Sequence, residues 1–243
     1  MSSDSHLRQW AESTHSRNYL GIADLMIRGR ERSLMILRSF YRHFLEDTAP
    51  NTLLDLGCGD GVVAYELLQL DPSIIPTLLD GSAEMIGQAR KKLADYENCT
   101  FITATFQDLL AEEIEIPSFN LVASSFAIHH LTSSERKSLF EYLLDHLNPG
   151  GCFVNIDMVR SSSEKVEGWY LELWKQFVSE QNPSPEMRNV FEEMFNRYTE
   201  KEHYRKIDPI EKQMAALESV GFRDVDCFFK DGIFAMYGGG KPD

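Results

Sequence analysis

The chain has 243 residues, 43% of them hydrophobic and 26% charged, an ordinary globular composition and enough length for one domain with a sizeable core. Its formal net charge of -14 gives no electrostatic drive toward phosphate backbones or anionic membranes, which argues against nucleic acid and membrane partners. The four cysteines (Cys58, Cys99, Cys152, Cys227) are scattered without a CxxC pair, as free thiols of a reducing compartment, and no apolar run is long enough to span a bilayer, so a cytoplasmic protein without a metal site is expected.

Residues 6–45 carry a roughly helical apolar pattern and predict an N-terminal helical cap over 1–50. Pro50 and Asn51 break the chain, and strand and helix signals then alternate. A first strand over 52–55 is followed by a helix over 61–70. A second strand over 76–79 ends at Asp80, and a helix over 83–93 follows, with Gly81-Ser82 as its cap. Strands over 100–103 and 120–124 come next, then a helix over 133–147 and a turn at Asn148-Pro149-Gly150-Gly151. A fifth strand over 152–158 contains Asp157 near its end. Residues 160–206 break the rhythm and read as an inserted helical lid, packed over the sheet edge. A last helix over 209–219 precedes two strands, 225–229 and 233–237, joined by the hairpin turn Lys230-Asp231-Gly232. Repeated βα units imply an α/β fold, a doubly wound parallel sheet covered on both faces. One domain results, with its cofactor-binding core over 51–159 and its last helix and hairpin over 207–243.

The most informative stretch is LLDLGCGDG, Leu53 to Gly61. An apolar strand runs through an acid into alternating glycines, where the backbone can take positive φ and a ligand can approach it. The turn falls where open α/β sheets bind ligands, at the carboxyl end of a strand near the topological switch point. A phosphate loop would offer a lysine; here Asp55 and Asp60 flank the glycines. An acidic loop suits a ligand with a cationic head.

DLGCGDG, the acid closing strand two in LLDGSAEMIGQAR, SSFAIHHL, LNPGG and the hairpin after VGF together resemble the class I S-adenosylmethionine-dependent methyltransferases. The resemblance runs from Leu53 to Lys241 and implies a Rossmann-like, mostly parallel seven-stranded sheet with an antiparallel last strand. It implies S-adenosyl-L-methionine as cofactor. Gly57, Cys58, Gly59 and Gly61 would follow its methionyl-ribose portion. Asp55 would face the ammonium side. Asp80, with Gly81 and Ser82, would meet the ribose, and Met85 the adenine. Family members often place an acid after strand three; here Thr105, Phe106 and Gln107 occupy that stretch, with Asp108 further on. Ser125 and Phe126 would lie near the methionine end.

The helical N-terminus and the inserted helices read as lids, which enclose small molecules and exclude water, and the acidic charge agrees, so a small-molecule acceptor is expected. A methyl transfer needs a nucleophile held about 3 Å from the reacting carbon, and a base only if that nucleophile must lose a proton. His129, Asp157 and His203 are the candidates for such work, with Tyr19, His130, Tyr170, Tyr204 and Arg205 as acceptor contacts. Each has a plainer alternative: Asp157 as a cap, Tyr170 and Trp174 as core, the 201–206 segment as a solvated helix end. Apolar positions in the N-terminal helices serve a lid or a homodimer interface. A carboxymethyl-type enzyme making or using a modified sulfonium would need a basic residue for the extra carboxylate, with Arg205, Arg160 or Arg28 available. A non-catalytic cofactor-binding regulator is the third reading.

Overall fold

A computed structural model of the chain describes residues 23–46, 50–200 and 206–242. Seven strands form one mixed sheet: β1 (Thr52–Leu56), β2 (Ile75–Asp80), β3 (Thr100–Thr103), β4 (Phe119–Ser125), β5 (Leu147–Met158), β6 (Arg223–Asp231) and β7 (Phe234–Gly240). Their order is β3-β2-β1-β4-β5-β7-β6. β1 pairs in parallel with both β2 and β4, so the strand order reverses at β1. β7 is antiparallel to β5 and β6, which gives the expected mostly parallel sheet with its antiparallel end.

Helices cover both faces, and the alternation of strand side chains decides which residue meets which layer. On β1, Leu53 packs into the layer formed with α2 (Arg30–Phe44), α3 (Val62–Leu68) and α4 (Ala83–Lys92). Leu54 and Leu56 pack into the opposite layer, with α6 (Ser133–Asp145) and α9 (Ile210–Val220). Asp55 lies between leucines of that opposite layer, so the pleat turns it toward the start of α3. A short helix, α1 (Ala23–Met26), precedes α2, and Gly29, with φ +75°, breaks the two apart.

The lid region is two helices, α7 (Glu164–Glu180) and α8 (Pro185–Thr199), each capped by a serine. They close a third apolar cluster around Trp174, with Phe191, Phe195, Tyr198 and Phe234, and with Met26 from α1. The Trp174 indole N–H donates to the Met26 carbonyl at 2.8 Å, tying the lid to the N-terminal helices. Trp169 is 59% exposed, so the aromatic run divides between core and surface.

Three elements differ from the sequence expectation. The Asn148–Gly151 turn sits inside β5 as an irregularity: the register passes from Phe119↔Leu147 straight to Leu121↔Cys152. β6 and β7 extend beyond the expected strands because backbone pairing continues through polar and glycine positions that carry no apolar signal. A further helix, α5 (Phe106–Leu110), follows β3, started by a capping box in which Thr105 and Asp108 exchange hydrogen bonds.

Candidate cofactor and acceptor site

The glycine turn between β1 and α3 folds over the end of β2. The Gly57 and Cys58 amides both donate to the Leu79 carbonyl, at 2.8 and 3.0 Å. Gly57, Gly59 and Gly61 all have positive φ. At Gly57 a Cβ would stand 2.3 Å from the Ala127 Cβ, so the β1 and β4 turns meet there with no space between them. At Gly59 a Cβ would find nothing within 4 Å, leaving bare backbone toward open space.

Asp55 is fully buried. Its Oδ2 accepts from the Ala64 amide at 3.1 Å, while its Oδ1 has no partner among the described residues. Burial, with the neighbouring charges of Asp60 and Asp80, pushes its carboxyl well above the usual range, against the Ala64 hydrogen bond. Asp80 accepts from the Gly59 amide at 2.9 Å and the Ser82 amide at 2.8 Å. Burial raises its pKa too, despite those two bonds. Asp60 is paired with Lys92. Burial pushes the Cys58 thiol well up, which keeps it protonated and leaves its backbone as the relevant part.

These residues open on a cavity of about 610 Å³ at the carboxyl ends of the strands, within the usual size of a small-molecule pocket. Gly57, Cys58, Gly59, Asp80, Gly81, Ser82, Met85, Thr105, Phe106, Gln107, Ser125, Phe126 and His130 line it. Asp55 and Gly61 stand just behind the wall, holding the turn. Phe126 takes φ +55°, donates its amide to the Ile156 carbonyl at 2.8 Å and sets its ring 6.0 Å from that of Phe234. The Gln107 Oε1 is buried without a partner among the described residues, while its amide nitrogen reaches Glu135 at 3.4 Å. Asp108, the acid nearest that stretch, is occupied in the α5 capping box.

The acceptor candidates divide. His130 lines the cavity; His129, its ring centroid 4.0 Å away, does not. His129 is buried, with its amide 2.9 Å and its Nδ1 2.5 Å from the two carboxylate oxygens of Asp157. Asp157 is 1% exposed and also accepts from the Met158 amide, so it stands behind the wall and braces the turn that presents His130. Tyr170 lies outside the cavity, its ring under Lys230 and its hydroxyl 3.2 Å from the Lys230 ammonium. Tyr19, His203, Tyr204 and Arg205 fall outside the described residues. Of the other arginines considered, Arg28 pairs with Asp231 at 2.8 Å and Arg160 donates to the Ile207 carbonyl.

Sequence reasoning missed several wall residues: Arg30, Thr132, Ser134, Glu135 and Lys206. The T-x-x-E pattern at Thr132–Glu135 was a legible signal, a capping box that starts α6 at the cavity edge. It also missed the buried polar chain behind the wall. From Asp157 the chain runs through Asn155, the Tyr237 hydroxyl and Gln213 to the Asp208 carbonyl. Among the described residues no group of acids, histidines or cysteines could hold a metal ion, and no helix is long and apolar enough to cross a membrane.

An open α/β sheet with its ligand cavity at the switch point, ringed by glycines and acids, defines a class of proteins that bind nucleoside-like ligands. Residues 53–151 match the family described as methyltransferase domain. The chain is 24% identical over 185 residues to a carboxy-S-adenosyl-L-methionine synthase from Histophilus somni, covering 75% of this chain and 73% of that one. Its fold is similar to that of an O-methyltransferase family protein from Burkholderia thailandensis (TM-score 0.62, 15% identity, 90% of this chain and 58% of that one). It is also similar to a Methanococcus maripaludis protein assigned to the S-adenosyl-L-methionine-dependent methyltransferases (TM-score 0.63, 17% identity, 95% and 94%). The chain thus spans under two thirds of the first of these solved structures and nearly all of the second. Residues 53–151 thus carry a methyltransferase domain, in a fold like that of the class I S-adenosylmethionine-dependent methyltransferases, whose cofactor is S-adenosylmethionine.

The residues present fit that cofactor. The bare Gly59 backbone, the unpartnered Asp55 oxygen and the acceptor-only Asp80 carboxylate complement a molecule that carries an ammonium, a sulfonium and ribose hydroxyls.

Proposed function

We propose that the enzyme methylates a small-molecule acceptor held in the 610 Å³ cavity. The observation that carries the reading is Asp80, a half-buried carboxylate in the cavity wall whose two hydrogen-bond partners among the described residues are both backbone amides. Each oxygen keeps acceptor capacity for a ribose hydroxyl. Gly57, Gly59 and Gly61 would let the backbone approach the methionyl-ribose portion, and Asp55 would serve the ammonium side. Met85 and Phe106 would hold the adenine between them, with Thr105 and Gln107 at its edge. Ser125 and Phe126 would border the methionine end.

Bound S-adenosylmethionine supplies a methyl carbon already activated by its sulfonium. The chain's part is then to exclude water and orient the acceptor on line with that carbon. His130, in the wall, is the residue offered to the acceptor; His129 and Asp157 hold its turn. His203, Tyr204, Arg205 and Tyr19 remain candidates for closing the acceptor end. A cytoplasmic, single-domain enzyme without nucleic acid or membrane partners goes with this reading. A homodimer through the N-terminal helices would appear in light scattering.

A second reading is favoured by the synthases named above and by two cations in the wall, Arg30 and Lys206. In it the enzyme makes or uses a carboxylated sulfonium, and these cations meet the extra carboxylate. Titration calorimetry with S-adenosylmethionine and S-adenosylhomocysteine tests the shared core, and absence of binding to both would sink it. Mass spectrometry of the copurified ligand separates the two readings. An unmodified cofactor, with methyl transfer in a metabolite screen, supports the first; a carboxylated one supports the second.

A further inference from the structure

We infer that Arg136 is a positioning residue for the cofactor cavity, acting through the two wall segments that its guanidinium ties together. The inference rests on the cofactor reading above. Arg136 is 2% exposed, one of the largest fully buried side chains among the described residues. Its Nη2 donates to the carbonyl of Leu131 at 3.0 Å and to that of Lys206 at 2.9 Å; its Nη1 donates to Asp208 at 2.8 Å. Leu131 and Lys206 both line the cavity, and they come from distant parts of the chain. Leu131 closes the turn after β4, while Lys206 begins the segment that leads from the lid back to α9.

Asp208 completes the knot. It accepts from the Ser133 hydroxyl at 2.6 Å and from Lys212 at 2.8 Å. The first turn of α6 is therefore locked to residues 206–208 on one side by Ser133 and Arg136. On the other side its Thr132, Ser134 and Glu135 face the cavity. Stability alone does not call for this arrangement, since a buried ion pair is often replaceable by apolar residues of similar volume without loss. What an apolar side chain cannot do is hold two backbone carbonyls in fixed register. Only a planar fork with several donors does that from one position, and a lysine would do it partly.

The test is calorimetric titration of the full chain with S-adenosylhomocysteine, alongside thermal unfolding, for the wild type and for Arg136→Met, Arg136→Lys and Asp208→Asn. Leu217→Ala, buried on α9 in the apolar layer, serves as a control that lowers stability away from the wall. The expected result is at least a tenfold loss of affinity in Arg136→Met, a smaller loss in Arg136→Lys, and a loss in Asp208→Asn, each measured well below its unfolding temperature. Leu217→Ala should bind within twofold of the wild type even where its unfolding temperature falls as far. Should Arg136→Met fail to fold, Arg136→Lys and Asp208→Asn decide. Affinities within twofold of the wild type for those two, or an equal loss in Leu217→Ala, overturn the positioning role. A wild type that binds no S-adenosylhomocysteine removes the cofactor reading itself, an outcome distinct from the former.

Discussion

Two groups of buried acids in this protein are solved in opposite ways. At the glycine turn, buried Asp55 and half-buried Asp80 have only backbone amides for hydrogen-bond partners among the described residues, and desolvation holds both carboxyls above their ordinary pKa. At the start of α9, burial would raise Asp208 as well, but hydrogen bonds from Lys212 and Ser133 and the charge of Arg136 bring it below its ordinary value. The first group is electrostatically unfinished among the described residues; in the second, the Asp208 carboxylate is met by cations and a hydroxyl of the chain itself. A binding site is recognisable by that imbalance, because burying an uncompensated carboxylate costs stability that only a cationic or hydrogen-bond-donating ligand returns.

The largest expected effect lies outside both acid groups and separates the lid from the cofactor turn. Trp174→Ala empties the centre of the lid cluster and removes the hydrogen bond to Met26, at a cost of about 3–5 kcal/mol. Thermal unfolding should fall by about 10 °C, while calorimetry on the folded protein finds cofactor affinity within about threefold. A collapse of affinity would mean that the two halves are not separable.

Asp80→Ala is the complementary test. It should weaken S-adenosylmethionine binding about 100-fold, the value of hydrogen bonds to a charged acceptor, with no loss of unfolding temperature in the ligand-free protein. Unchanged affinity would remove Asp80 from the site. Gly59→Ala should cost about 1–2 kcal/mol, from positive φ alone, because no atom stands in its way. Gly57→Ala should cost more, because Ala127 must also move.

The smallest effect is in pH. The raised pKa of Asp80 means that, in the window between 3.8 and its higher folded value, the folded chain binds this proton more tightly than the unfolded chain. Its contribution to stability is therefore full below 3.8 and lost as pH rises through the folded value. Asp208 is the reverse: its contribution is present above 3.8 and is lost as pH falls through its lower folded value. Unfolding temperatures of ligand-free Asp80→Asn and Asp208→Asn, followed from pH 3 to 7, should depart from the wild type in opposite directions at neutral pH, Asp80→Asn upward and Asp208→Asn downward. Departures of the same sign would erase the contrast.

The sequence made the cofactor half legible because its logic is local. Asp55, the glycines, Asp80 and Ser82 stand at fixed short spacings, and their partners are strand ends and helix starts that periodicity locates. The same alternation pointed to parallel βα units, though not to the order of the strands. The acceptor half was less legible because its logic is long-range. Nothing near Asp157 announces that it braces His129, and nothing near Tyr170 announces that Lys230 lies against it. Arg136 did leave a trace. It falls on the face of α6 shared by Leu139, Phe140 and Leu143, all buried, where a charged residue has no place unless something meets it. Its partners Leu131, Lys206 and Asp208 could not be read from that spacing.

The contact between Gly57 and Ala127 bears on how such an enzyme can diversify. The turn after β1 and the turn after β4 meet here, so neither can shift at this point without pushing the other. Selection for a new acceptor can rework Phe126, His129 and His130 on either side, and can rebuild the lid helices wholesale. The pair in the middle must stay small throughout. The two turns work as a bearing, each held in place by the smallness of the other at Gly57 and Ala127.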